Sequence, residues 1–236
     1  MKQRQWISAA AVLLTALLGA VAGNPARTQS GRNWTLEEIL KQLDRMAGDF
    51  HSLTADLEHT KVTVVVNDKS TETGQISVRR DEKMRIEITK PDARTILRNG
   101  DSLYVYNPKI KRVEEYNLGK HKTMVDQYVL LGFGTKGEDL KKHYLVTPHG
   151  EETLDNRKVL LLELTPKSEE VRNQISKIEV WIDESAWVPV QQKFYETGSG
   201  DYFIFHYSNI ARNTKIAEST FKPEWTKGVT KIKPRG

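Results

Sequence analysis

Apolar and polar residues alternate along most of the chain from residue 51 onward, and this alternation predicts β-strands. Met84, Ile86 and Ile88 form one such series, and two further apolar runs flank Asn99-Gly100. Asn-Gly between two apolar runs is the strongest short-range signal for a β-hairpin. Residues 78–106 are therefore predicted to form three short strands joined by tight turns.

The pattern changes to helical spacing in three places. Thr35 and Glu38 have the spacing of a capping box at the start of an amphipathic helix. The apolar stripe of this helix consists of Leu36, Ile39, Leu40, Leu43, Met46, Ala47 and Phe50. A very apolar helical segment is predicted over residues 124–133, and a short helical turn over residues 138–142. Both the stripe and the apolar segment must be buried against another element.

Two stretches depart from simple alternation. The alternation changes phase between residues 51 and 66, which predicts a bulge or a bend in a long strand. The apolar residues of the two phases are Leu53, Ala55 and Leu57, then Val62, Val64 and Val66. Residues 159–164 (VLLLEL) are apolar on both faces, which predicts a central strand covered on both sides.

Roughly ten or eleven strands and few helices predict a mainly β fold with some α-helix. A curved antiparallel sheet with helices across its concave face would bury every apolar surface found so far. The helices carry more large aliphatic residues than a solvated lid needs. The pattern leaves two interpretations open, namely plain core packing and the cover of a cavity for an apolar ligand.

Residues 1–22 have the form of a signal peptide, and we expect cleavage after Ala22, with an uncleaved anchor as the alternative. Lys2 and Arg4 precede an apolar run that ends in Ala20-Val21-Ala22. Residues 23–33 are small and polar and are predicted to be a linker, which leaves residues 34–236 as a single domain. The chain contains no Cys and therefore no site for lipid attachment of the bacterial lipoprotein type. The predicted location is an exported compartment.

The chain's charge argues against nucleic-acid binding. The net charge of +5 arises from 36 basic and 31 acidic residues that are mixed along the 236 positions, without a basic stripe interleaved with aromatic residues. The glycines at 132, 134 and 137 spell GxGxxG, but no strand precedes them and the sheet is predicted to be antiparallel, so a glycine hinge is favoured over a dinucleotide loop. The six His show no metal-ligand spacing, and no nucleophile motif is present. We expect neither an enzyme nor a cofactor.

Several segments, taken in order, resemble the LolA family of periplasmic carriers of bacterial lipoproteins. The similar segments are Ile76 to Arg80, Met84-Arg85, Lys90-Pro91-Asp92, Ile96-Leu97, Asn99-Gly100, Leu103 to Pro108, Leu162 to Lys167, and Phe221-Lys222-Pro223 with Gly228-Val229. Each motif is short, but their order and spacing are specific, and together they extend over nearly the whole mature chain.

The resemblance implies an unclosed β-barrel of about eleven strands, with helices as a lid over a cavity for acyl chains. It also implies a function, which is to bind the acyl chains of lipoproteins in the periplasm and to deliver them to the outer membrane. The implied partners are acylated lipoproteins, an inner-membrane lipoprotein-releasing transporter and, where the cell has one, an outer-membrane acceptor. The implied carrier is a monomer. The alternative is a carrier or sensor of another lipid or glycolipid that uses the same fold.

The resemblance further implies that Arg80 bonds to the lid backbone and holds it shut, as a latch. Asp81 stands where the family has Pro, and an Asp beside Arg80 could redirect its guanidinium, so Arg85 is the second candidate for the latch. The residues expected to line the acyl-chain cavity come from the predicted helices and the first strands. They are Leu36, Leu40, Leu43, Val64, Ile76, Val78, Met84, Ile86, Ile88, Met124, Tyr128, Leu131 and Phe133.

Overall fold

The computed structural model describes residues 34–119, 131 and 133–234. The strands are β1 Ser52–Thr63, β2 Asp68–Arg79, β3 Lys83–Lys90, β4 Arg94–Asn99, β5 Ser102–Asn107, β6 Arg112–Asn117, β7 Tyr144–Leu154, β8 Arg157–Pro166, β9 Ile175–Asp183, β10 Pro189–Glu196, β11 Tyr202–Arg212 and β12 Thr230–Ile232. The helices are α1 Leu36–Gly48, α2 Gly137–His143 and α3 Glu169–Arg172. Short 3-10 turns lie at Val64–Val66 and Glu218–Phe221.

The strands form one twelve-stranded sheet in the order β12-β6-β5-β4-β3-β2-β1-β11-β10-β9-β8-β7. All pairs are antiparallel except β12, which runs parallel to β6. The two ends of the sheet, β12 and β7, do not pair with each other, so the barrel is not closed. The predicted fold class is confirmed, with one short parallel strand beyond the eleven expected.

The local signals in the sequence account for several elements. Thr35 caps α1 and forms the full capping box with Glu38. Gly100 adopts φ +60° in the turn between β4 and β5, a conformation that glycine reaches without strain. The predicted helical turn at residues 138–142 is α2. In the described part of the chain, none of the helices has the length and hydropathy of a membrane-spanning segment.

Two strand predictions are correct only in part. The alternation through Val64 and Val66 does not continue β1, because residues 64–66 form a 3-10 turn that Asn67 closes in the left-handed conformation at φ +49°. The bulge in β1 lies earlier, between Thr54 and Asp56. β8 is an interior strand, paired with β7 and β9, but it is not covered on both faces, because Leu161 and Glu163 are only half-buried.

Candidate functional site

One face of the sheet, here called the inner face, packs against α1, Leu131 and Phe133. Its first apolar cluster comprises Ile39, Leu40, Leu43, Leu131, Leu140, Tyr144, Val146, Leu160, Leu162, Leu164, Ile175, Ile178, Val180, Ile182, Trp187 and Phe194. Its second comprises Phe50, Leu53, Ala55, Leu57, Ile76, Val78, Met84, Ile88, Phe133, Val188 and Tyr207. Strand pairing produces this continuity, because Leu53 lies opposite Val78 and alternate residues share a face.

Most of the residues predicted to line the cavity lie on this face. Leu40, Leu43 and Leu131 belong to the first cluster, with Leu36 packed against it and half-buried. The second cluster contains Ile76, Val78, Met84, Ile88 and Phe133, with Ile86 packed against it. Their contact with acyl chains stays a prediction.

Three of the predicted residues are not placed on the inner face. Val64 lies at the tip of the β1–β2 hairpin with 51% of its surface exposed, because the strand ends at Thr63. Met124 and Tyr128 lie outside the described residues. Val64 therefore has no place in the proposed cavity.

Side chains from β11 and from the end of β2 hold the C-terminal end of α1. Arg80 donates from Nη1 to the carbonyls of Gly48 at 3.3 Å and Phe50 at 3.5 Å. Arg212, at the end of β11, donates to the carbonyl of Met46. Asn213, the next residue, donates to the carbonyl of Asp49 at 2.7 Å. The last carbonyls of a helix lack partners within the helix and carry partial negative charge, so two guanidinium groups fit this end.

Asp81 does not redirect Arg80. Its carboxylate accepts two hydrogen bonds from the neighbouring Arg79, at 2.6 and 2.7 Å. The Arg79 guanidinium lowers the pKa of Asp81 from its usual 3.8 to about 2, with Lys83 adding to the effect. The Asp that stands in place of the family's Pro is thus occupied elsewhere, and the guanidinium of Arg80 is free to reach α1.

Arg85 lies on the other face of β3. It donates to Glu87 at 2.8 Å and to the carbonyl of Thr220 at 3.3 Å, in the C-terminal segment. Met84 and Ile86, its neighbours along the strand, point to the inner face. Of the two latch candidates, only Arg80 is placed against α1.

Gln192 and Tyr207 form a buried polar pair on the inner face. Gln192 is completely buried and donates from Nε2 to the carbonyl of Leu131 at 2.5 Å. Tyr207 donates to Oε1 of Gln192 at 2.9 Å, and the ring of Phe133 packs edge-on against Tyr207 at 5.0 Å. Burial raises the pKa of the Tyr207 phenol, so it stays a hydrogen-bond donor at physiological pH.

Three polar side chains, from β1, β2 and β4, interrupt the apolar inner face. Glu72 accepts from His59 at 3.2 Å and from Arg94 at 2.8 Å. The His59 ring stacks on Phe205, with 4.8 Å between centroids. Glu72 thus joins the other two side chains, and the three mark where the apolar surface becomes polar.

Among the described residues, little free space remains at the C-terminal end of α1. The space at the C-terminal end of α1, bordered by Leu43, Phe50, Trp187 and Arg212, measures about 10 Å³. That is the space of about one water molecule and is too small for an acyl chain. Binding of an acyl chain here requires α1, or Leu131 and Phe133, to move.

The sequence pattern does not predict the roles of Arg212, Asn213, Gln192 and Tyr207. Each occupies a strand, or the residue after it, with ordinary alternation around it, and no motif marks it. Val190 and Phe194 share the face of Gln192 and are buried. A polar residue within such an apolar series is the one sequence signal that marks Gln192. Among the described residues, no group of His, Asp or Glu is arranged to hold a metal ion.

Three solved structures align over most of the chain. An uncharacterized conserved protein from Thermus thermophilus aligns with a TM-score of 0.56 at 10% identity, covering 84% of this chain and 98% of that one. Pseudomonas aeruginosa MucB aligns with a TM-score of 0.50 at 13% identity, covering 80% and 62%. A LolA superfamily protein from Nitrosomonas europaea aligns with a TM-score of 0.41 at 17% identity, covering 80% and 98%.

The sequence comparisons identify the family. No curated protein matches the chain in sequence. The model of the family "Outer membrane lipoprotein carrier protein LolA" matches residues 49–224, which is well over half of the chain. This chain therefore belongs to the LolA family.

Proposed function

We propose that the protein is a periplasmic carrier that binds the acyl chains of lipoproteins on its inner face and delivers them to the outer membrane. An inner-membrane transporter that releases lipoproteins would load it, and an outer-membrane acceptor, where the cell has one, would unload it. The proposal rests on membership of the LolA family and on the apolar inner face.

The observation that carries the proposal is the way in which α1 is attached. The helix covers the inner face with Ile39, Leu40, Leu43 and Ala47. Its C-terminal end is held by hydrogen bonds from side chains of the sheet, and hydrogen bonds of this kind can break without unfolding the strands. A cover attached in this way can leave an apolar surface and return to it.

The energies of the exchange are balanced. Each buried CH₂ of an acyl chain contributes about 0.8 kcal/mol. Exposing a buried Leu or Ile of α1 costs about 1.5–3 kcal/mol. A chain that takes the place of several such residues gains little more than it displaces, and a carrier that must release its cargo needs this property.

Native mass spectrometry of the protein purified from its own periplasm tests the proposal. Acylated protein should co-purify with it. Free lipid alone would favour the alternative, a carrier or sensor of another lipid, and an empty protein would contradict binding of either kind.

Neighbouring residues on β4 provide a matched control for that experiment. Ile96 packs against the second apolar cluster, and Thr95 beside it faces the other side of the sheet. Ile96→Asp should abolish co-purification of the cargo, while Thr95→Asp should leave it unchanged. Equal cargo in the two variants would contradict binding on the inner face.

A further inference from the structure

Gln192 places a hydrogen-bond donor in the middle of the apolar inner face. It lies on β10, opposite Val180 of the first cluster on β9 and opposite Phe205 on β11. Its own partner Tyr207 belongs to the second cluster. A ligand that extends across both clusters therefore passes the Gln192 amide.

The acceptor that Gln192 now uses belongs to the part of the chain that fills the inner face. The carbonyl is that of Leu131, whose side chain is 1% exposed, and Phe133 beside it is 2% exposed. A ligand that takes the place of these two side chains also takes the carbonyl away from Nε2. A buried amide N–H without an acceptor is costly, so the bound ligand must supply one.

An acyl chain supplies this acceptor by its chemistry. Where it joins a glycerol or an amine, it has an ester or amide carbonyl, the same type of acceptor as the Leu131 peptide carbonyl. Tyr207 holds Oε1 of Gln192 at 2.9 Å, which fixes the amide so that Nε2 continues to point at the acceptor position.

We propose that Gln192 binds the ester or amide carbonyl of an acyl chain in the loaded protein, with the Leu131 carbonyl in its place when the protein is empty. The inference rests on the proposed carrier function and adds a recognition element to it. The site distinguishes acyl chains from plain hydrocarbon, which an apolar surface alone cannot do.

The test compares two fluorescent probes of equal length, a pyrene-labelled acyl methyl ester and the corresponding pyrene-labelled alkane. Loss of the Leu131 bond in Gln192→Met affects both probes equally, whereas loss of the carbonyl contact affects only the ester. The ratio of the alkane Kd to the ester Kd should therefore fall about three- to tenfold in Gln192→Met. In Gln191→Met, which changes the neighbour on the opposite side of β10, it should equal the wild-type ratio.

The outcomes separate the inference from the proposed function. If both probes bind and the Kd ratio in Gln192→Met equals that of wild type, Gln192 only anchors Leu131 and the inference is wrong. If neither probe binds wild type, the proposed function itself fails.

A measurement on the wild-type protein removes any dependence on the folding of the variant. The infrared stretch of a ¹³C-labelled ester carbonyl should move to lower frequency on binding, relative to the same ester in a hydrocarbon solvent. A bound ester with the hydrocarbon frequency would overturn the assignment.

Discussion

Single side chains decide how firmly α1 is held on the inner face. Arg80 directly follows β2 and Arg212 ends β11, and these two strands flank β1. Both side chains reach the C-terminal end of α1. Both donate to backbone carbonyls, and only Arg212 also reaches an α1 side chain, the sulfur of Met46 at 3.6 Å. The apolar side chains of α1 therefore pack on the inner face, while side chains of the sheet hold its C-terminal end.

Replacement of Arg80 should favour the displaced position of α1. In Arg80→Leu, the loss of two hydrogen bonds from a charged donor, both of them long, should tighten binding of an apolar fluorescent probe about three- to tenfold. A fluorescence titration of the empty protein measures this change. Arg85→Leu provides the control, because Arg85 contacts Glu87 and Thr220 on the other face, and its probe affinity should equal that of wild type. Equal probe affinities in the two variants would contradict a latch role for Arg80.

At the scale of elements, α2 packs against α1 through a glycine. The amide of Gly137 donates to Asp44 of α1 at 2.7 Å. A Cβ at Gly137 would lie 2.8 Å from Cβ of Leu40 and 2.9 Å from its carbonyl oxygen. The two helices approach so closely because residue 137 has no side chain, which gives a packing role to a glycine of the GxGxxG sequence.

An alanine at that position should separate the helices. Gly137→Ala should lower the free energy of unfolding by about 1–3 kcal/mol, since the backbone of α1 must shift to admit the methyl group. Gly48→Ala at the end of α1 meets no atom within 4 Å, and we expect it to be neutral or to stabilise by up to about 1 kcal/mol. Urea unfolding of both variants measures the difference. Equal destabilisation would mean that the close contact does not exist in solution.

The C-terminal segment is tied to the outside of the sheet by a charged cluster. Glu218 accepts from Arg79 at 2.6 Å and from Lys83, and Asp81 binds the same two cations. Phe221 is completely buried, and the Arg79 guanidinium lies 5.1 Å from the centre of its ring. The segment therefore depends on carboxylates whose pKa values are lowered in the folded protein.

This cluster predicts an acid-sensitive attachment. The folded-state pKa of Asp81, about 2, is below its usual 3.8, so its contribution to stability is present above pH 3.8 and is lost as the pH falls from there to about 2. The urea midpoint of the wild type should fall across this range, and Asp81→Asn should start lower and fall less. Glu224→Gln, a carboxylate of the same segment outside the cluster, should follow the wild-type curve. A parallel fall in Asp81→Asn and wild type would contradict the assignment.

Local signals predicted the elements that depend on local chemistry. The capping box of Thr35 and Glu38, the Asn99-Gly100 hairpin and the alternation of Met84, Ile86 and Ile88 all have causes within a few residues. Alternation alone assigns Val64 to the strand, because it does not show where a strand ends. The partners of α1 and the acceptor of Gln192 are 30 to 166 residues away in the chain, and periodicity contains no information on such contacts.

At the scale of the whole molecule, one open sheet presents an apolar face on which α1, Leu131 and Phe133 pack. The unpaired edges at β12 and β7 leave the barrel unclosed, so the sheet can widen without breaking strand pairs. Displacing α1, Leu131 and Phe133 would expose a surface that extends across both apolar clusters. The central claim is that acyl chains of a lipoprotein occupy this surface.

Photo-crosslinking from two consecutive residues of β11 tests that claim most directly. Phe203 faces the inner face beside the first cluster, and Tyr202 faces the outside of the sheet. With benzoylphenylalanine at position 203 in living cells, irradiation should link the protein to acylated lipoproteins, and the link should be on the lipid. The same group at position 202 should give no such product. Crosslinks of equal yield at the two positions, or at position 202 alone, would contradict cargo binding on the inner face.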